Sequence, residues 1–112
     1  MLNSSTPIQV ENGAPETGSA TKKHTTPTTM TTGSTTWLVS IFGDRMLNAP
    51  PSTWTPPSGA TDRVDTRASG NGTPVSLAIN TQGPVTAGAK SHTATGTASS
   101  ASAGLEIIAI QP

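Results

Sequence analysis

The side chains that could carry chemistry in this chain are two histidines, His24 and His92, six carboxylates, and a generous supply of serines. A metal centre would have to draw His24, His92, Asp44, Asp62 and Asp65 together, yet no two of these stand at a typical ligand spacing. A serine nucleophile would need a sharp strand-to-helix turn. There is no Gly-x-Ser-x-Gly motif, and Ser40 sits inside an apolar run that reads as a strand. Paired carboxylates for glycoside hydrolysis must face each other across a cleft. Glu11 and Glu16 instead lie near the start of the chain, and Glu106 lies on its closing strand. Gly70-Asn71-Gly72 lacks the residues that complete a phosphate-binding loop. The pattern predicts no catalytic residues, no metal and no cofactor.

Binding is a separate matter, and there the aromatic and basic residues count. Trp37 heads the strongest apolar run and is expected in the core. Trp54 lies between two proline pairs, where it would pin a loop to the body, contact a partner protein or stack on a sugar ring. Arg63 and Arg67, alternating with Asp65, give a strand with one polar face. Cross-strand or adjacent charge pairing is expected there, worth little on a surface. With Ile8 and Val10, which could add a strand to a sheet in cis or on a neighbouring subunit, these are the candidate contact residues: Ile8, Val10, Trp54, Arg63 and Arg67.

The elements that would position them are all strands. Threonine is the commonest residue, proline and glycine recur at short intervals, and apolar residues never fall at helical spacing. Residues 1–23 read as an extended N-terminal arm, either disordered or supplying a short strand at 6–10, because Asn12-Gly13-Ala14-Pro15 and Thr17-Gly18-Ser19 break regular structure. Residues 24–112 read as one β-domain. Strands are expected over 25–32, 37–44, 60–68, 73–82, 90–98 and 104–110. Pro27 puts the first at an edge or a bulge, and 90–98 is expected at an edge or facing solvent. A proline-rich loop falls at 46–60, turns at Ser69-Gly70-Asn71-Gly72 and at Gly83-Pro84, and a small-residue loop at 99–104. In the run from Trp37 to Asp44, Trp37, Val39 and Ile41 share one face and Leu38, Ser40 and Phe42 the other. That implies a central strand covered on both faces, or one covered by a neighbouring chain. About six or seven short strands at this spacing predict an all-β fold, a small β-sandwich or jelly-roll-like domain.

Composition narrows the function classes further. The formal net charge is zero and charged residues are 11% of the chain, which argues against nucleic-acid binding. No apolar run approaches the roughly 18 residues of a membrane span, and Met1-Leu2-Asn3-Ser4-Ser5 has neither the basic nor the apolar region of a signal peptide. Apolar residues amount to 31%. Small cores are usually supplemented by disulfides, metals or association. With no cysteine in the chain, partner contacts are expected to supply part of the stability, and a homo-oligomer is expected.

The run Trp37-Leu38-Val39-Ser40-Ile41-Phe42-Gly43-Asp44-Arg45 resembles a strand of β-sandwich modules found in actinobacterial secreted proteins and in structural proteins of actinobacteriophages. There it reads approximately W-[LV]-V-S-x-[WF]-[GA]-D-[KR]. The order of the surrounding pieces is similar: His24-Thr25-Thr26-Pro27 before it, then Thr53-Trp54-Thr55-Pro56-Pro57-Ser58-Gly59, Arg63, Pro74-Val75-Ser76-Leu77-Ala78 and Gly83-Pro84-Val85. The resemblance covers about residues 24–112. It implies a non-catalytic accessory module at the exposed end of a larger protein, and it transfers no catalytic or binding residues. It also implies an upstream strand that is reduced here or missing, leaving a gap in the sheet for a neighbouring subunit to fill. The expected function is that of a structural protein of a phage virion, a capsid decoration or tail-associated module. It would dock on other virion proteins or on copies of itself. The alternative is a carbohydrate- or cell-surface-binding module of a secreted bacterial protein.

Overall fold

A computed structural model describes residues 5–47, 49–70 and 72–111, and there the chain is all-β, consistent with a small β-sandwich. The strands in chain order are β1 (Ile8–Thr25), β2 (Thr29–Thr31), β3 (Thr36–Arg45), β4 (Trp54–Thr55), β5 (Thr61–Ala68), β6 (Val75–Val85), β7 (Gly88–Lys90) and β8 (Thr93–Ile110). The main antiparallel sheet runs in the order β1-β8-β3-β6-β5, with β4 pairing to the first part of β8. β2 and β7 form a separate two-stranded sheet.

The first strand corrects the sequence reading. Asn12, Gly13, Pro15 and Gly18 do not interrupt regular structure but lie inside an 18-residue strand, β1. Its partner is β8 of the same chain, so the sheet edge expected to await a neighbour is occupied in cis. An edge strand has a row of N–H groups facing solvent, where proline is tolerated, and register shifts between Thr17 and Lys23 absorb the mismatch with β8. Residues 1–4 of the expected arm lie outside the described residues.

Three further expectations change. Residues 99–104, read as a loop, continue β8, because small residues pair as readily with β1 as large ones would and Ala103 packs inward. The start of β8, read as an edge, is interior: Ala94 and Gly96 are buried, with β1 beside residues 93–95 and β4 beside residues 95–96. Gly83 and Pro84, read as a turn, lie inside β6 at the register shift opposite Thr36 and Leu38, a bulge of the kind that accepts proline. The turn expected at 69–72 includes Asn71, which lies outside the described residues.

One face of the main sheet is the interior. Along β3 it takes Leu38, Ser40, Phe42 and Asp44. Opposite them in register lie Ala78, Asn80 and Ser76 of β6, and Leu105, Ile107 and Ala109 of β8. Two apolar clusters form there. One is Phe42 with Trp54, Ala78, Ala94, Ala103 and Leu105; the other is Leu38 with Val85, Ile107 and Ala109, with Val10 packed against it. The proline-rich loop contributes to this cover, placing Trp54 against Phe42 with ring centroids 5.9 Å apart and against His24 edge-on at 5.5 Å. The interior is unusually polar, and between the clusters Ser40, Asn80, Thr36 and His92 are all buried.

Candidate interaction surface

The opposite face of the same sheet has no cover among the described residues. Its central row along β3 is Trp37, Val39 and Ile41, with Ile108 and Ile110 beside it on β8 and Leu77 and Ile79 on β6. Each keeps part of its surface in solvent, whereas the inward residue next to it in sequence is for the most part buried. Trp37, expected in the core, is 42% exposed. The reason is topological. The 46–60 loop and the β2–β7 pair both fold over the Leu38–Phe42 side, and local hydropathy has no say in that choice.

Read across the strands, the open face is a set of rows fixed by register. One runs Glu11–Ile108–Val39–Thr81–Thr61, the next Gly13–Glu106–Ile41–Ile79–Val64, and the next Pro15–Gly104–Gly43–Leu77–Thr66. The two glycines of the third row leave a shallow trough of about 450 Å³ lined by Pro15, Ile41, Gly43, Leu77, Gly104 and Glu106. A Cβ built on Gly104 would meet nothing within 4 Å. The packing of the protomer therefore leaves room for a Cβ at Gly104.

The sequence candidates are distributed unevenly around this face. Ile8 and Val10, two residues apart, would share a side of a regular strand. A register shift between them sends Val10 inward opposite Ala109 and leaves Ile8 opposite Ile110 at the corner of the open face, 53% exposed. Arg63 sits in the irregularity between Asp62 and Val64, and its Nε donates to Thr81 Oγ1 at 2.8 Å, which holds it at the β5 margin of that face. Arg67 points the other way and donates to Thr53 Oγ1 of the proline-rich loop. Asp65 Oδ2 accepts from the backbone N–H of Trp54 at 3.1 Å. The charge pairing expected along β5 is thus absent among the described residues; Asp65 and Arg67 tether a loop instead. Trp54 is 5% exposed, with Nε1 donating to Ser76 Oγ at 2.8 Å, and Ser76 in turn donates to Asp44. Its indole presents no surface to a ligand.

Two of the chemically suggestive groups, Ser40 and His92, meet in the interior. His92 Nε2–H donates to Gln82 Oε1 at 2.7 Å, which leaves Nδ1 to accept from Ser40 Oγ at 2.9 Å. Burial pushes the His92 imidazole below its ordinary value. A hydroxyl bonded to an imidazole has the polarity of a nucleophile and its base. Here, however, Ser40 is completely buried, and the far nitrogen meets an amide in place of a carboxylate. No substrate atom reaches the hydroxyl unless the sheet opens. His24, also fully buried, bonds Glu16 through Nδ1 at 2.8 Å across the edge of β1. No three His, Asp or Glu side chains among the described residues come together to hold a metal. Neither the Ser40–His92 contact nor the aliphatic face was legible as a site. The histidine pair depends on residues 52 positions apart, and the face depends on which side the loops choose to cover. Comparison with protein-family models, with curated proteins and with solved structures found no match.

Proposed function

We propose that this chain is a non-enzymatic structural module, a capsid decoration or tail-associated protein of a phage virion, that works by packing its open sheet face against a neighbouring subunit. The observation that carries the reading is the aliphatic row of β3, β6 and β8, left without cover while serines, an asparagine and a histidine occupy the interior. Full burial of a valine, leucine or isoleucine side chain is worth about 1.5–3 kcal/mol relative to exposure. Val39, Ile41, Leu77, Ile79 and Ile108 are each partly covered within the protomer, so closing the face recovers a fraction of that value at each of the five side chains. Large contiguous apolar surfaces on soluble domains mark interaction sites.

The virion setting rests on the sequence resemblance in the run from Trp37 to Arg45. The competing reading, a carbohydrate- or cell-surface-binding module, takes Trp54 and the Arg63/Asp65/Arg67 face as its contacts. Of these the indole is buried and Asp65 and Arg67 bond the proline-rich loop, so the reading has less to draw on than the open sheet face. Mass spectrometry of purified phage particles tests the reading. The chain is expected as a component in fixed stoichiometry with the major capsid or tail protein. Particles that lack it, in a lysate that contains it, overturn the assignment.

A further inference from the structure

We propose that the occupant of the open face is a second copy of this chain, packed face to face about a two-fold axis running along β3. The inference rests on the docking reading and adds the partner and the geometry. A face-to-face two-fold can lie along the strands or across them, and the two choices make different contacts. An axis along β3 keeps each row level and exchanges left for right, so that β8 of one copy lies over β6 of the other and β1 over β5. An axis across the strands would lay β1 over β1 and β5 over β5.

Shape selects the first choice. In the third row Gly104 lies one strand to one side of Gly43 and Leu77 one strand to the other. Reversal about β3 brings Leu77 of each copy over the trough at Gly104 of the other, a knob meeting a hole twice. The arrangement accounts for a glycine at 104 that the monomer does not need, since a side chain there would enter open space.

Charge selects the same choice independently. Glu11 stands at the β1 margin of its row, and Arg63 is held at the β5 margin by Thr81, a row-mate of Glu11. Glu106 is one strand further in. The same reversal carries Glu11 over the margin that holds Arg63 on both sides of the axis, while Glu106, inside the rim, comes over Ile79 with Arg63 one strand away. Arg45, at the foot of β3, meets its own copy across the axis. It lies at the end of the face, where its long side chain reaches solvent. Rim charges of this kind set register more than affinity, while the aliphatic rows supply the attraction.

The size is adequate. Five strands spaced about 4.8 Å, with roughly eight residues rising about 3.3 Å each, make a face of about 600 Å². Two such faces approach the lower bound of about 1,200 Å² for a stable specific interface.

Sedimentation of the whole chain at sub-millimolar concentration tests the pairing. The expected result is a dimer, lost in Gly104→Val while that variant keeps the wild-type melting behaviour of the protomer. Arg63→Glu should weaken association by about ten-fold or more, and Glu11→Arg combined with Arg63→Glu should restore it. A monomeric wild type overturns the proposal, and so does a Gly104→Val protein that dimerises as tightly as the parent. A monomer that is nevertheless found in purified particles overturns the pairing and leaves the virion reading standing. A dimer broken by Gly104→Val, in a chain absent from particles, does the reverse.

Discussion

The indole of Trp37 lies directly over Gly83 of the neighbouring strand, so closely that a Cβ on Gly83 would sit 2.6 Å from Trp37 Cδ2. The glycine is thus the floor on which an otherwise exposed tryptophan rests. This flattens the upper corner of the open face, and it turns a residue that looks like a core anchor in sequence into part of a surface.

Gly83→Ala should therefore displace the indole and strain β6. The expected cost is about 1–3 kcal/mol, the range for overfilling a close contact. In a Trp54→Phe background the remaining fluorescence comes from Trp37 alone. A shift of its emission in the Gly83→Ala protein would report the displacement. Unchanged emission and an unchanged denaturation midpoint would show that the ring does not depend on this floor.

Trp54 anchors the proline-rich loop through two kinds of contact, rings and a hydrogen bond. Trp54→Phe keeps most of the contact with Phe42 and His24 but removes the donor to Ser76, and should cost about 1–2 kcal/mol. Trp54→Ala also empties the space and should cost about 3–5 kcal/mol. Urea denaturation of the two variants separates the contributions. Equal losses would mean that packing counts for nothing beyond the hydrogen bond.

The strand character of this chain was open to reading from threonine content, punctuation and alternation, and β3 fell where its apolar run lies. The side of β3 that faces inward was not. Hydropathy favours Trp37, Val39 and Ile41 over a face containing Ser40 and Asp44, yet the fold buries the second. The connections after Arg45 and after Thr25 cross on that side, and such crossings are settled by contacts distant in sequence. β1 was missed for a different reason. Glycine and proline weaken a strand that must pair on both edges, but β1 pairs only with β8, so the usual breakers stand inside it. The trough at Gly104 was hidden because a glycine in a small-residue run reads as a loop until its row-mates are known.

Asp65 shows how an apparently decorative charge acts on the backbone. Its carboxylate accepts from the N–H of Trp54 while Arg67, two residues on, bonds Thr53, so β5 holds the loop at successive residues. Asp65→Ala should cost about 1 kcal/mol, because the site is exposed and water can replace part of the bond. The larger effect should be local. Amide hydrogen exchange at Trp54 should quicken well beyond the change in global stability. Exchange that tracks global stability alone would deny the tether.

His92 couples the interior to pH, and the sign follows from its hydrogen bonds. The neutral ring donates through Nε2 to Gln82 and accepts through Nδ1 from Ser40, so a second proton would occupy the position that Ser40 now uses. Burial already lowers the proton affinity of the folded state below the ordinary value of 6.5. In the unfolded chain the ring protonates near that ordinary value. Above it both states are neutral and the His92 contribution to stability is fully present. As pH falls below it, the unfolded state binds the proton first, and stability declines until the folded-state pKa is passed. Replacing His92 by Gln keeps hydrogen-bonding capacity without a titrating group. It should cost about 1–2 kcal/mol at neutral pH by disturbing the contacts with Ser40 and Gln82. Denaturation curves taken between about pH 7.5 and pH 5.5 should then converge, the wild type losing its advantage as acid is added. The difference between the two proteins isolates His92, because every other residue is the same in both. Parallel curves across that window would mean that the buried imidazole does not sense the proton, and that its bonds to Ser40 and Gln82 persist in either charge state.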